Sequence, residues 1–525
     1  MKYIKGSSRK QIVLFPISMD SSISEDNEVR LIDLFVGSLD IETMGFKIDH
    51  VEDGRPAYHP KDLLKLYIYG YLNRIRSSRA LEKECQRNIE VMWLLKGLVP
   101  DHNTISNFRR DNPKAIKKVF RATVSIAKHF ELIGGQLIAG DSTKFRAQNS
   151  KKNNFNKKKI DRHLAYIEDK LSEYQEQLSK ADGDNRKKIE AEIKKHEQRK
   201  SNYQCIQEEL DKTGESQVST SDPESRQMIV RNNITEVAYN TQSTVDAKNN
   251  IPIDYKVTNT NDGKAMGGML RRAKSILRST EFTSLYDKGY HTGSEFKIAD
   301  DLSIDVLVAI PTVAANAPNP AYNVEHFQYN KEGDYYICPQ GKELHTTGTL
   351  HKAKTYTFKR YTTKACLSCS VKDECSKAKY GKGIQRSEYQ EIIENNKHRI
   401  EKNKNYYRQR QAIVEHPYGT IKRQWGFSYV ITKKYIARAE ADVGFMFTAY
   451  NLRRIISIIG INAFKNYLKI LQSLFIPKFC LIKLYMINFK PLFFLNNFSI
   501  NFVPNYKTLL KSLIFDENME NNGGF

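Results

Sequence analysis

Between residues 30 and 133 apolar side chains recur at helical spacing. In "HPKDLLKLYIYGYLNRI" the residues Leu63, Leu64, Leu66, Tyr67, Ile68 and Leu72 form one broad apolar face behind His59-Pro60, predicting a helix that starts there. "SSRALEKECQRNIEVMWLL" predicts a helix that opens at Ser77 and Ser78 and carries Glu82 near its positive end. Its Leu81, Cys85, Ile89 and Trp93 would be buried in turn. "PDHNTISNFRRDNPKAIKKVFRATVSIAKHF" supplies a start at Asn103-Thr104 and two more helical segments. The pattern then changes: Leu137-Ile138-Ala139 reads as a strand ending in Gly140 and a lone carboxylate, Asp141. Next, Ile160, Leu164, Ile167, Leu171, Tyr174 and Leu178 alternate by four and three, a coiled-coil seam. "ADGDN" turns the chain, and Ile189, Ile193, His196, Tyr203 and Leu210 return it as an antiparallel hairpin. "EVAYNTQSTVDAKNN" and "IPIDYKVTNTND" predict strands joined near Asn249-Asn250. "AMGGMLRRAKSIL" is a helix, "FTSLYDKGYHTGSEFKIADDL" a strand, a turn at Asp287 and a helix, and "IDVLVAIP" an apolar strand. This order implies the α/β class, with a mixed sheet flanked by helices.

Length and charge narrow the picture. A chain of 525 residues exceeds one ordinary core and predicts several domains. With 40% hydrophobic residues it has the apolar content to fold. A net charge of +23 favours a polyanionic partner, since each Lys or Arg set against a phosphate releases a counterion. Arg74, Arg76, Arg79, Arg87, Arg109 and Arg110 on the short N-terminal helices suggest a helix-turn-helix-like DNA reader, with a plain packing domain as the alternative. The opening twenty residues do not read as a signal peptide, because Pro16 interrupts their apolar patch. Lys465, Lys469, Lys478, Lys483 and Lys490 break up the apolar stretch 455–498, so no membrane span and a cytoplasmic protein are expected.

The chemistry rests on acids and thiols. If the strand before Asp287 lies beside the strand of Asp141, two carboxylates meet. Their repulsion is relieved by a divalent cation. Glu415, on the helical segment "YRQRQAIVEHPYGTIKRQWGF", would complete an oxygen-ligand site for Mg²⁺ or Mn²⁺. Singly, each acid also fits a structural place; Asp246, before a turn, is read as structural. Lys144, just beyond Asp141, is a candidate DNA contact, and Arg226 in "SDPESRQM" is either a turn residue or a DNA-backbone contact. Cys338, Cys366, Cys369 and Cys375 could hold a structural Zn²⁺, or be four small buried thiols without metal. Cys85 and Cys205 read as helix-face residues, and Cys480 lies in the tail.

"IAGDSTKFRAQNS", "SDPESRQM", "VAYNTQSTVD", "YDKGYHTG" and "VEHPYGTIKR" together resemble the DDE transposases of bacterial insertion sequences. The nearest resemblance is to the group labelled eleven-eighty-two within the insertion-sequence-four superfamily. It extends to "GRPAYHPKDLLKLYIYGYLNRIRSSRALE" and "PDHNTISNFR", and runs from about residue 10 to about residue 457. It implies a ribonuclease-H-like core in which Asp141, Asp287 and Glu415 bind the catalytic metals. It further implies that Lys422 and an upstream arginine contact DNA phosphates. The superfamily places Tyr and Arg where this chain has Arg408 and Gln411, so Arg408 and Arg410 are both candidates. Arg408, Glu415 and Lys422 are seven apart and would form one helical stripe, which Pro417 interrupts if the helix instead begins near it.

The resulting expectation is a helical DNA-binding domain over 1–133 and a catalytic domain over 134–457. The catalytic domain would carry a hairpin insertion at 155–215 and a Cys-rich insertion at 318–400, with an atypical apolar tail at 458–525. The expected activity is metal-dependent cleavage at terminal inverted repeats and strand transfer into target DNA, by a homodimer. A nuclease without strand transfer and a catalytically silent DNA-binding regulator are the alternatives.

Overall fold

The computed structural model describes residues 18–47, 56–231, 234–312 and 316–485, with side chains described to Ser473, Arg231 excepted. Cys480 and the rest of the tail beyond Tyr485 therefore lie outside the described residues or side chains.

Six helices open the fold: α1 (Glu28–Gly37), α2 (Pro60–Leu72), α3 (Ser78–Arg87), α4 (Ile89–Leu94), α5 (His102–Asp111) and α6 (Pro113–His129). α2 begins where His59 accepts the Lys61 N–H and Pro60 takes the first turn, where its missing donor costs nothing. The segment 77–95 is two helices rather than one. Asn88 is extended, ends α3, and turns its side chain to the Glu90 N–H as the cap of α4. That break rotates Ile89 out to solvent, 50% exposed. Ser77 makes no side-chain cap bond. α5 starts at Asp101 rather than at Asn103-Thr104, because that carboxylate takes the N–H groups of both residues, at 2.9 and 3.1 Å.

β1 (Leu137–Arg146) follows. The excursion after it comprises β2 (Asn154–Phe155), α7 (Lys157–Ser179), α8 (Gly183–Thr213) and β3 (Val218–Ser219). This helical hairpin is closed at its base by β2 pairing with β3 over a cluster of Phe155, Ile160, Leu210 and Val218. Within the seam of α7 only Ile160 and Ile167 are fully buried.

The central sheet is completed by β4 (Arg226–Arg231), β5 (Ile234–Asp246), β6 (Ile251–Thr258), β7 (Thr283–Tyr286) and β8 (Asp305–Val308). The helices α9 (Met266–Leu277) and α10 (Gly293–Asp301) alternate with the later strands. β4 is an additional strand ahead of the two anticipated. β5 pairs antiparallel with β1, β4 and β6, whereas β1–β7 and β7–β8 are parallel, so the sheet is mixed. Asn250, at φ 53°, makes the turn between β5 and β6, a conformation Asn tolerates better than most residues.

A second, five-stranded antiparallel sheet follows: β9 (Gln328–Asn330), β10 (Tyr335–Ile337), β11 (Glu343–Lys352), β12 (Thr357–Thr362) and β13 (Ile384–Ser387). The short helix α11 (Lys372–Cys375) lies before β13. The chain then returns to the first sheet through α12 (Gln390–Lys402) and α13 (Tyr406–Tyr418), and ends in α14 (Ile436–Ile459) and α15 (Ile461–Tyr485). α14 buries residues on nearly every side, packing on α2, α5 and α6 and also on β6. Among the described residues no helix is long and apolar enough to cross a membrane.

Candidate active site

β1 does not end at Asp141; it runs on to Arg146, because β5 continues to pair with it through Arg146↔Ala238. What ends at this point is the other edge. The parallel pairing with β7 covers only Leu137–Ala139, and Asp141 lies just past it. Asp287 follows β7 directly. Because Ala139 pairs with Leu285, the same register carried two residues on sets Asp141 against Asp287. Asp287 caps the single turn Lys288–Tyr290, accepting the Gly289 N–H at 2.8 Å. Gly140 is required between Ala139 and Asp141: a Cβ there would lie 2.1 Å from the Tyr286 ring.

Alternation along β1 turns Ala139, Asp141 and Thr143 to the face covered by α13, where Tyr406, Ile413 and Val414 pack on Ala139, Val245, Leu285 and Leu307. α13 brings Arg410 to Asp141, Nη1 to Oδ2 at 3.2 Å. Burial pushes the Asp141 carboxyl up to about 6; Arg410 and the Ser142 N–H oppose this, and Asp287 adds to it. The buried guanidinium is held above its ordinary range because Asp141 and then Asp287 outweigh its desolvation. One arginine thus supplies the positive charge beside two carboxylates.

Glu415 is carried on the same helix but faces solvent, where it accepts from Gln411 Nε2 at 2.7 Å. The structure therefore brings Asp141 and Asp287 together and leaves the third acid apart. Among the described residues no three His, Cys, Asp or Glu side chains stand ready to hold a metal ion. Pro417 lies inside the last turn of α13 and does not start a helix; the chain continues as a π-helical turn, Gly419–Gln424. The proline forgoes one intrahelical bond, to the Ile413 carbonyl, near the end of α13, and the helix runs on past it. Lys422 on that turn donates to Thr143 Oγ1 at 2.9 Å and to the Lys144 carbonyl at 3.0 Å, beside the carboxylates.

The other expected DNA-contact residues differ in placement. Arg408 is exposed on α13. Lys144 binds Ser142 Oγ at 3.0 Å and Asp262 at 3.3 Å. Arg226 is held by the Pro223 and Ser225 carbonyls and by Glu215, which is the turn arrangement. Arg110 pairs with Asp111 at the surface. Arg109 is a correction: at 4% exposure it is a core residue, bound to Tyr71 and facing Asp442 at 3.6 Å, out of reach of DNA. Arg76 is likewise buried, 3.5 Å from Asp442. Asp246 is structural, its carboxylate capping the N–H groups of Gly134, Gly135 and Lys248.

Sequence reading passed over Asp262. It sits behind β1, on the face of Ser142 and Lys144, and accepts from Asn240 and Gln242 at 2.7 Å each. Burial pushes its carboxyl up, but Lys144 and these donors outweigh that and hold it below the ordinary range. Gln242 in turn receives the buried Tyr290 hydroxyl, so Asp262 anchors the turn that follows Asp287. Tyr418 likewise pins α13 to the sheet through Ser243 and the Asp141 carbonyl. The one available signal was the turn "NTNDG", since polar residues on two neighbouring strands need a buried partner only once they are paired.

Two family models match the chain. One, described as a transposase domain (DUF772), matches residues 17–111; the other, described as a transposase DDE domain, matches residues 337–456 and includes Arg410, Glu415 and Lys422. The protein is a DDE transposase. No curated protein matches this transposase. Among solved structures it is similar to a cryo-EM structure of the piggyBac transposase synaptic complex with hairpin DNA. The identity is 10%, covering 94% of this chain and 86% of that one, with a TM-score of 0.28, too low to define a fold. The DDE-domain match begins after Asp141 and Asp287, so the assignment of those two acids rests on the geometry above.

Proposed function

We propose that the transposase cuts DNA at the terminal inverted repeats of its own element and joins the freed 3′ ends to target DNA. The observation that carries this is the apposition of Asp141 and Asp287 at the edge where β7 parts from β1, with Arg410 against them. Two adjacent carboxylates, one desolvated, suit a hard divalent cation; Asp141 and Asp287 would hold it, with Glu415 of α13 as the third ligand. Mg²⁺ or Mn²⁺ held there would supply the charge that activates an attacking oxygen and stabilises a leaving one. The chain's own part is positioning. Lys422 holds a phosphate of the element end and exposed Arg408 extends that contact along α13, while Arg410, buried against Asp141, fixes the carboxylate pair.

The sheet order β6-β5-β1-β7-β8, antiparallel on one side of β1 and parallel on the other, supports a ribonuclease-H-like core. The sequence motifs support membership of the eleven-eighty-two group of the insertion-sequence-four superfamily. The units we assign are a helical DNA-binding domain over 1–133, a catalytic domain over 134–457 with insertions at 155–215 and 318–400, and the tail at 458–525. The active form is a homodimer holding two ends, working in the cytoplasm; the charge of +23 supports the DNA partner.

The test is incubation of a labelled element-end duplex with target DNA in Mg²⁺, wild type beside Asp287→Ala. Wild type should give joined products, and the variant should lose both cutting and joining by at least about 10²-fold. Cutting without joining by wild type would make the protein a nuclease. An Asp287→Ala variant as active as wild type would remove the carboxylate pair from the mechanism.

A further inference from the structure

The second sheet has too small a core to stand on its own contacts. Its buried apolar residues are Phe327, Tyr336, Leu344, Tyr361 and Ile384, with Cys338 and Cys375 packed at the margin. Five buried side chains under five strands is the condition in which small units acquire disulfides or a metal. The cysteines here are free thiols.

Four of them meet. Cys338, Cys366, Cys369 and Cys375 line one cavity of about 30 Å³, room for an ion or a water molecule. They come from two separate turns. Cys338 heads "CPQGK", where its N–H donates to the Lys342 carbonyl at 2.9 Å, its carbonyl accepts the Gly341 N–H at 2.8 Å, and Gly341 takes φ 71°. This knuckle aims the Lys342 N–H at Cys338 Sγ, 3.3 Å away, the bond that suits a sulfur carrying negative charge. The other three lie along a loop that folds into α11, where the Cys369 carbonyl accepts the Lys372 N–H. A third segment closes over them: Gly381, at φ 83°, lies so near Cys366 that a Cβ would fall 2.2 Å from its Cβ and 3.0 Å from its Sγ. Lys342, Lys372 and Lys382 border the cavity and offset the negative charge that four thiolates around a dication would carry.

We propose that Cys338, Cys366, Cys369 and Cys375 bind one Zn²⁺ as a structural tetrathiolate site that staples the five-stranded insertion. The side chains line the cavity without converging on a common point, and loading of the metal would draw the four thiolates together as their protons leave. Zinc suits this donor set; Mg²⁺, which takes oxygen, does not. The site is separate from the carboxylates, but the insertion joins β8 to α12 and α13. Its order therefore bears on the helix that carries Arg410 and Glu415.

The experiment is metal analysis of the purified full chain, together with the absorption spectrum of the cobalt-substituted wild type. The expected result is about one zinc per chain in wild type, in Cys205→Ser and in Asp141→Asn, falling below about a tenth in the double variant Cys366→Ser/Cys369→Ser. Cobalt should show intense thiolate-to-metal charge transfer and tetrahedral d–d bands, a readout that needs no variant to fold. Absence of zinc after incubation with Zn²⁺, zinc retained by the double variant, or a cobalt spectrum without thiolate bands would each overturn the proposal. None of these readouts depends on DNA cleavage.

Discussion

At the residue scale the decisive group is Asp141. Its carboxyl titrates near 6, against an ordinary value of 3.8, because burial outweighs the Arg410 charge. The folded state therefore holds this proton more tightly than the unfolded chain does. The stability associated with it is complete below about pH 3.8 and is lost as pH rises through about 6. Metal-free wild type should thus lose roughly 2–3 kcal/mol relative to Asp141→Asn between pH 4 and 7. Parallel urea titrations across that range check it; a constant difference would show the carboxyl to be ordinary. Adding Mg²⁺ should raise the wild-type melting temperature at pH 7.5 and much less at pH 5, where the ligand is protonated. The acids at 141 and 287 were legible in the sequence because each follows an apolar run. Asp262 was not, because its role depends on Asn240 and Gln242 of a strand that only pairing brings near.

At the scale of elements, the site depends on how strand edges and one helix meet. Gly140 lets β1 pass over the Tyr286 ring, which is fully buried. Gly140→Ala should cost about 1–3 kcal/mol by overpacking and move Asp141 off its register with β7. Denaturant unfolding would measure the loss, and Tyr286→Leu in the same chain should recover part of it; additive losses would mean the clash is not the cause. A helix beginning near Pro417 was one of two readings of the Glu415 segment, the other being a continuous helix. α13 runs through Pro417 into the π-helical turn that follows, and this puts Lys422 onto Thr143. The break at Asn88, by contrast, was missed. Apolar spacing ran on through residues 77–95, while one polar side chain had a better use as the cap of α4.

At the scale of the whole molecule, the N-terminal helices and the elements around the six-stranded sheet are joined through a buried charge. Asp442 of α14 is wholly buried, takes the Ile431 N–H at 2.8 Å and the Tyr71 hydroxyl, and faces Arg76 and Arg109. Arg76 also reaches the Tyr429 carbonyl at 2.8 Å and lies over the Phe427 ring, tying α2–α5 to the segment behind α13. Asp442→Ala would strand two buried guanidinium groups and should destabilise the protein by about 3–5 kcal/mol. Thermal unfolding and protease sensitivity of α14 would report it. An unchanged midpoint would show that the cluster is not what joins the layers.

By itself the sequence determined the elements and the chemistry they can carry. Apolar period 3.6 over 30–133, apolar runs leading up to Asp141 and Asp287, a charged hairpin between them and four thiols in turn-rich chain all follow from local pattern. Only the tertiary structure decided which charges face water and which face each other. The arginines of the short helices looked alike as cations on amphipathic segments, yet Arg109 and Arg76 are drawn into the core by an aspartate more than 300 residues away. Arg410 is drawn to Asp141, while Arg408, two residues earlier, stays exposed. A charged side chain is buried only where a distant partner compensates its desolvation, and that pairing is set by packing rather than by local sequence.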